Sequence, residues 1–399
     1  MPAPIPILFL SDAPERPGGL SRITRDLATL TSRLPEFRVG VLGRGARGTR
    51  QLPFVQYGYD EMTGQWGEHH LAGVWADFAG DERGIVFTIW DASRLHWFAQ
   101  PGYLPQGELR TFLEAGHFER WGYFPIDSTG PGDKLTTQAR STLMGYDRVL
   151  TYTSWAEQLV KRSIGDAVAQ ALQLTWLPHG LNLGTFKPQP RRQARAMFPA
   201  FHAHDKVLGV VATNQARKDW GLVAMTTRLL RDRLGRSFRA WWHSDTPMRH
   251  WNLHALIADF GLGDCVALTT EPMPDDAIAT AYAACDVTMH PGLGEGFGYP
   301  IAESLACGVP AVHGAYAGGA ELLAGHPEWL VPPVEMRLDT LHNCFRPVFN
   351  AADWTDTIES VLAESPAPED CRAMVEHLDW ALLWTQWRRW LLAGLEARQ

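Results

Sequence analysis

Two glutamates are marked by what surrounds them. The segment His290-Pro-Gly-Leu-Gly-Glu-Gly-Phe-Gly-Tyr-Pro-Ile-Ala-Glu-Ser-Leu-Ala-Cys-Gly-Val-Pro310 runs from an apolar stretch through a glycine-rich turn into a helical pattern. Pro300 suits a first helical turn, where its missing N–H is no loss. Gly294, Gly296 and Gly298 let the backbone approach a ligand closely, and the free amides of a helix start attract negative charge. A diphosphate is the ligand that fits. Glu295 precedes the helix and Glu303 lies one turn inside it, so the first can reach a sugar and the second a ribose of one molecule. A bare pair of glutamates at this spacing is ordinarily solvated helix charge; the glycines, Phe297 and the following Ala-Cys-Gly-Val-Pro turn make this pair specific.

The elements that must position such a turn are those of parallel α/β folding, because short apolar runs alternate with amphipathic segments along most of the chain. One set of strands is expected at Ile5–Leu10, Arg38–Leu42, Ile85–Trp90, Trp121–Ile126 and Arg148–Tyr152, forming one open sheet. A second set is expected at Lys206–Ala212, Phe238–Trp242, Cys265–Leu268, Val287–His290 and Val309–Val312. Proline and glycine cluster in Leu177–Pro188, and the basic stretch Gln189–Arg195 follows, so the connection between two domains is placed there. Leu378–Leu395 carries Trp380, Trp384, Trp387 and Leu391 on one face at helical spacing and reads as a closing helix.

The glycine-rich segment resembles the E-x7-E motif of retaining GT-B glycosyltransferases of family 4. Glu295, Phe297, Gly298, Glu303, Ala306, Gly308 and Pro310 stand where that pattern wants them. The resemblance implies two Rossmann-like parallel-sheet domains facing across a cleft, with 1–180 binding the acceptor, 181–375 binding a nucleotide-sugar donor, and 376–399 a closing helix packed back towards the first domain. It also implies that Glu295 contacts the donor sugar, the amides of Phe297 to Tyr299 meet the phosphates, and Glu303 holds the ribose. Ser11–Ser21 looks like the family's N-terminal glycine loop, where Gly18 and Gly19 would face the donor phosphate; by itself, Gly-Gly after a strand is equally a turn. Leu177–Asn182, with Phe186 and Pro188, is similar to the interdomain signature, in which His179 is structural.

In that family an arginine and a lysine neutralise the departing diphosphate, and Thr213–Gly221 is the matching loop. Lys218 matches the lysine. The arginine usually lies several residues earlier, near Asn214, which is thereby a candidate donor contact; here Arg217 directly precedes the lysine, with an exposed helix-start charge as the alternative. Where the family often has a sugar-side histidine, this chain has Phe124–Gly130; Asp127 either takes that role or caps a turn. Asp91 and His96 follow another strand end and are candidates for the acceptor pocket, since ligands of open α/β sheets gather at the carboxyl ends of strands.

The expected activity is therefore retaining transfer from a UDP- or GDP-sugar to an acceptor hydroxyl, with no cofactor and no metal. An epimerase, a phosphorylase and a noncatalytic nucleotide-sugar-binding protein are the rival readings. A dinucleotide oxidoreductase is disfavoured, because no G-x-G-x-x-G follows the first strand. The acceptor stays open among small molecules, lipids, polysaccharide, protein and nucleic-acid bases. Arg16, Arg22, Arg25, Arg33, Arg38, Arg44, Arg47 and Arg50 hint at an anionic acceptor or membrane surface, with solvated side chains as the plain alternative.

A net charge of −8 argues against a protein that coats nucleic acid. The 5 cysteines include no CxxC pair, which disfavours a disulfide framework or a zinc site and fits a reducing compartment. No apolar run approaches the roughly 20 residues a membrane span needs, and no charged n-region precedes Ile5–Leu10, so a cytoplasmic protein is expected.

Overall fold

The computed structural model describes residues 3–48, 51–60, 66–198, 200–340 and 342–396. Arg50 lies outside these. The chain divides into two compact units, Met1–His179 with Trp384–Gln399, and Gly180–Leu383.

Among the described residues the first unit holds a 7-stranded sheet in the order β3-β2-β1-β4-β5-β6-β7. Its members are β1 (Ile5–Asp12), β2 (Phe37–Arg44), β3 (Val55–Tyr59), β4 (Gly84–Thr88), β5 (Phe118–Phe124), β6 (Arg148–Thr151) and β7 (Thr175–Trp176). Every pairing is parallel. Residues 6–11 of β1 are all buried, as a central strand with both faces covered requires. The sequence misses the edge strand β3, whose Val55-Gln-Tyr-Gly-Tyr is largely open to solvent and so lacks an apolar run. The helix Gly19–Thr31 follows β1.

Several of the N-terminal arginines have partners within the unit. Arg38 donates to Glu82 at 2.8 Å, Arg25 pairs with Asp26 at 3.2 Å, and the Arg44 guanidinium sits 4.5 Å above the Trp66 ring. The closing helix is Trp380–Glu396. Trp387, Trp390 and Leu391 are buried, and Trp387 Nε1 donates to the Pro178 carbonyl at 2.9 Å within the first unit.

The second unit holds a 6-stranded parallel sheet in the order β10-β9-β8-β11-β12-β13. These strands are β8 (Lys206–Val211), β9 (Phe238–His243), β10 (Val266–Thr269), β11 (Val287–His290), β12 (Ala311–Gly314) and β13 (Leu330–Val331); an antiparallel hairpin follows, β14 (Glu335–Leu338) with β15 (Phe345–Val348). The basic stretch expected to be a connection is instead a docked helix, Arg191–Ala196. Arg191 and Arg195 both pair with Asp286, at 2.7 and 2.5 Å, and the Arg195 side chain is only 6% exposed. A carboxylate far along the chain converts an apparently solvated basic run into packed structure, and no local pattern shows that. Among the described residues no helix is long and apolar enough to cross a membrane.

Candidate functional site

In the second unit, two adjacent strand ends build the site. β8 and β11 are neighbours in the sheet, and each runs into a short turn and then a helix. After β8, Asn214 fixes the turn. Its side-chain amide donates to the carbonyls of Thr246 (3.1 Å) and Trp251 (2.8 Å), and its oxygen accepts from the Trp251 amide (2.9 Å). Fully buried and bonded this way, Asn214 shapes the loop as placed here. Its family-derived role as a donor contact finds no exposed group in this conformation. Residues 216–218 form one 3₁₀ turn, and Asp219 then takes φ 43°, a left-handed conformation that aspartate tolerates better than most residues. From there its carboxylate accepts from the Leu222 amide at 3.1 Å and caps the helix Trp220–Leu234. Arg217 and Lys218 are thereby aimed from a rigid turn.

They meet the turn that leaves β11. The Arg217 side chain donates to the Gly294 carbonyl at 2.7 Å, while the Leu293 amide donates to the Arg217 carbonyl at 2.7 Å. Lys218 Nζ is bound directly to Glu295 Oε2, with Arg217 3.9 Å from the same oxygen. Arg217 thus stands beside Lys218 at the glutamate instead of pointing away as an exposed helix-start charge. Glu295 is itself held by its backbone, since the Gly319 amide donates to its carbonyl at 2.9 Å. Burial of Glu295 pushes its carboxyl up, but Lys218 and Arg217 outweigh that and hold it down at about 2. The glutamate is an anion throughout the physiological range.

Gly298, at φ 98°, begins the helix Tyr299–Ala306, and no side chain caps that end. Phe297 and Tyr299 are buried, with ring centroids 5.7 Å apart. Glu303 is 5% exposed and accepts from the Tyr282 hydroxyl at 3.0 Å. That bond fixes the carboxylate without exhausting it, since a carboxylate accepts up to about four hydrogen bonds.

Sequence reasoning gave no role to two buried histidines beneath the turn. His290 ends β11, His313 is the third residue of β12, and the two are register partners. Ser304 Oγ donates to the Val309 carbonyl at 2.9 Å, and Thr288 Oγ lies 2.7 Å from Ser304 and 2.9 Å from His290 Nε2. Burial pushes both imidazoles towards the neutral form, most strongly at His290. The available signal was a histidine at or next to the end of each of two apolar strands. Arg346 of β15 also went unnoticed, although it donates to the Leu293 carbonyl at 3.4 Å and so braces the turn from the hairpin.

The remaining candidates belong to the first unit, at the carboxyl ends of its strands. Gly18 (φ 128°) and Gly19 form the start of the helix after β1, and open space surrounds a Cβ built on Gly18. Asp91 is exposed and accepts from the Ser93 amide at 2.8 Å, capping a short 3₁₀ turn. His96 is half-buried, 3.5 Å from Thr142 Oγ and 5.1 Å between ring centroids from Tyr103. Asp127 is half-buried after β5. The structure therefore brings Glu295, Arg217, Lys218, Phe297, Gly298 and Tyr299 around one turn with Glu303 on its helix, and keeps Gly18, Gly19, Asp91, His96 and Asp127 together on the other unit. Among the described residues no group of three or more His, Cys, Asp or Glu side chains is arranged to hold a metal ion.

The tightness around Glu295 gives a direct expectation. A Cβ on Gly319 would lie 2.8 Å from His313 Nε2 and 3.1 Å from Glu295 Cβ, so one of them must shift. Gly319→Ala should destabilise the second unit by about 1–3 kcal/mol, the usual cost of overpacking a filled site. An unshifted urea midpoint would show that His313 and Glu295 yield to the added methyl.

Comparison with known proteins follows the same division. A family model described as glycosyl transferases group 1 matches residues 205–342, which include the Arg217–Lys218 turn and the whole glycine-rich segment. A D-inositol 3-phosphate glycosyltransferase from Thermobispora bispora is 30% identical over 238 residues, covering 52% of this chain and 53% of that protein. The O-antigen chain mannosyltransferase B of Escherichia coli is 27% identical over 169 residues, 42% of this chain and 37% of the other. The chain spans about half the length, or less, of the curated relatives it matches. Among solved structures, sucrose-phosphate synthase from Thermosynechococcus elongatus superposes with a TM-score of 0.74 at 18% identity, over 99% of this chain and 100% of that one. The Anabaena protein HepE, solved with UDP-glucose, gives 0.71 at 17% identity over 98% and 100%. The fold is that of the GT-B glycosyltransferases, two parallel-sheet α/β domains, and the stretch matched by the group 1 glycosyl transferase model lies within the second unit.

Proposed function

We propose that this protein is a retaining glycosyltransferase that moves a sugar from a nucleoside-diphosphate sugar, UDP- or GDP-linked, to an acceptor hydroxyl. The observation that carries this reading is the convergence of Arg217, Lys218 and the uncapped start of the helix Tyr299–Ala306 on Glu295. Two cations and a helix N-terminus form a positive field fixed before any charge develops, which is what a departing nucleoside diphosphate requires. In this account Arg217 and Lys218 face the diphosphate, the amides of Phe297 to Tyr299 bind its oxygens, Glu295 accepts hydroxyls of the donor sugar, and Glu303 accepts those of the ribose. Retention would follow front-face attack through an oxocarbenium-like state, with the departing diphosphate accepting the acceptor's proton. Gly18 and Gly19 would complete the phosphate contacts; Asp91, His96 and Asp127 would serve the acceptor side. The relatives' names supply the chemistry of transfer, and HepE's bound UDP-glucose supplies the donor class.

The test is a thermal-shift and hydrolysis screen of UDP-, GDP- and ADP-sugars against wild type and Glu303→Ala, with and without EDTA. One nucleotide sugar should stabilise the wild type, and the variant should lose about tenfold or more of that affinity, since an unmet buried ribose hydroxyl costs about 1–3 kcal/mol. EDTA should leave activity unchanged. Stabilisation that survives in Glu303→Ala would displace Glu303 from the ribose, and a strict requirement for a divalent ion would overturn the metal-free account.

A further inference from the structure

His313 faces the site and takes no part in the account above. It is the third residue of β12 and is 1% exposed. Its Nδ1 lies 2.6 Å from the His290 carbonyl oxygen. A carbonyl only accepts, so Nδ1 carries the hydrogen and Nε2 of the neutral ring is a bare lone pair. That Nε2 is buried and has no hydrogen-bond partner. Nε2 and the Glu295 side chain flank one point, the ideal Cβ of Gly319, which lies 2.8 Å from Nε2 and 3.1 and 3.2 Å from Cβ and Cγ of the glutamate. The charged and titratable groups facing the ring are Glu295 from the turn before the helix, Lys218 from the turn after β8, and His290 from β11. β13 presents Leu330 at the paired position, and the following turn presents Gly319. Burial holds the free ring below its ordinary value, so it is neutral beside a carboxylate that Lys218 satisfies.

Lys218 has two calls on it. In the structure it holds Glu295, and in the proposed function it faces the diphosphate. Turning it away leaves a largely buried carboxylate short of its nearest cation, which is strongly unfavourable unless another donor takes over. We propose that His313 is that donor, a positioning residue that binds one proton at Nε2 as the nucleotide sugar binds and donates it to the Glu295 carboxylate. The inference rests on the donor-site reading. Charge balances throughout: Lys218 passes from the carboxylate to the diphosphate, and the His313 imidazolium replaces it at Glu295; the one bond formed is N–H at Nε2, and the one broken is that proton's bond to hydronium or buffer acid. By linkage, affinity for the nucleotide sugar falls as pH rises from the pKa of His313 in the free protein towards its pKa in the complex, by up to about tenfold per pH unit, and levels off above the latter.

Isothermal titration calorimetry of the full chain with UDP-glucose and with GDP-mannose, in two buffers of different ionisation enthalpy at about pH 7, counts the protons exchanged on binding. Neither diphosphodiester has a group that titrates near neutrality, so the count belongs to the protein. The expected result is uptake of a large fraction of one proton by the wild type. In His313→Gln, whose amide can donate to Glu295 without titrating, binding should persist within a few-fold while the uptake disappears; His313→Asn is the second variant should that one not fold. Binding without buffer-dependent heat, or uptake undiminished in the variants, overturns the role of His313 and leaves the donor site standing. No binding of either nucleotide sugar overturns the donor-site reading and this inference together.

Discussion

Lys218→Ala should reduce sugar transfer by about 10²–10³-fold, the usual effect of deleting one preorganised charge-stabilising donor. The same change should destabilise the second unit, because it strands Glu295. The lysine and the glutamate are 12% and 19% exposed at their side chains, so the remaining carboxylate cannot be rescued fully by water. Breaking such a pair from one side costs about 3–5 kcal/mol, and Arg217 at 3.9 Å should keep the loss near the lower limit. The pH dependence has a definite sign. Glu295 is held at about 2, below its ordinary value of 4.5, so its contribution to stability is complete above 4.5 and is lost as pH falls towards 2. Lys218→Ala should flatten that acid limb, and Lys218→Ala combined with Glu295→Gln should recover much of the neutral-pH stability without recovering activity. Urea titrations at neutral and acid pH, with transfer assays on the same preparations, separate these effects. If Lys218→Ala alone left both stability and rate unchanged, the lysine would have no place in the site.

Why the donor side was legible and other parts were not is a matter of range. The turn from His290 to Pro310 advertises itself locally, since glycines, a proline and a glutamate in fixed order are what the backbone needs to approach a diphosphate. The long parallel strands were legible for a similar reason: buried on both faces, β1 and β8 read as continuous apolar runs. The two-residue strands β7 and β13 and the open edge strand β3 leave no such run. Partnerships across the chain are invisible to periodicity. Nothing near Arg195 announces Asp286, and nothing near Gly319 announces that its missing Cβ makes room for His313 and Glu295. Asn214 is instructive in the same way: its position suggested a ligand contact, but its amide is committed to the loop at 246–251. Asp91 and His96 drew attention only as polar residues after a strand end, and in the structure both have partners nearby, Ser93 and Thr142.

Trp390→Ala should cost the first unit about 3–5 kcal/mol, as large-to-small changes of buried aromatics do. Against a total of about 5–15 kcal/mol for a domain, that is enough to leave it marginal. The reason lies in a cation enclosed by indoles. The Arg148 guanidinium sits 4.0 Å from the Trp390 ring centroid and 4.6 Å from that of Trp121, and its Nη1 donates to the Trp390 carbonyl at 3.1 Å. Burial pushes its pKa down to about 10, with Glu119 opposing, so this arginine is already costly to keep charged. Removing the indole strips one face of the cation while leaving it buried, and it also removes the edge contact with Trp121 at 5.1 Å and the contact with Phe87 at 5.9 Å. Trp390→Phe keeps an aromatic face and should lose much less. Because the chain divides into two compact units, a urea titration followed by circular dichroism should resolve the loss: Trp390→Ala shifts the transition of the first unit and leaves that of Gly180–Leu383 in place. A single unshifted transition would mean that the C-terminal helix adds little to the unit it joins, and that the Arg148 cage is tolerated and not stabilising.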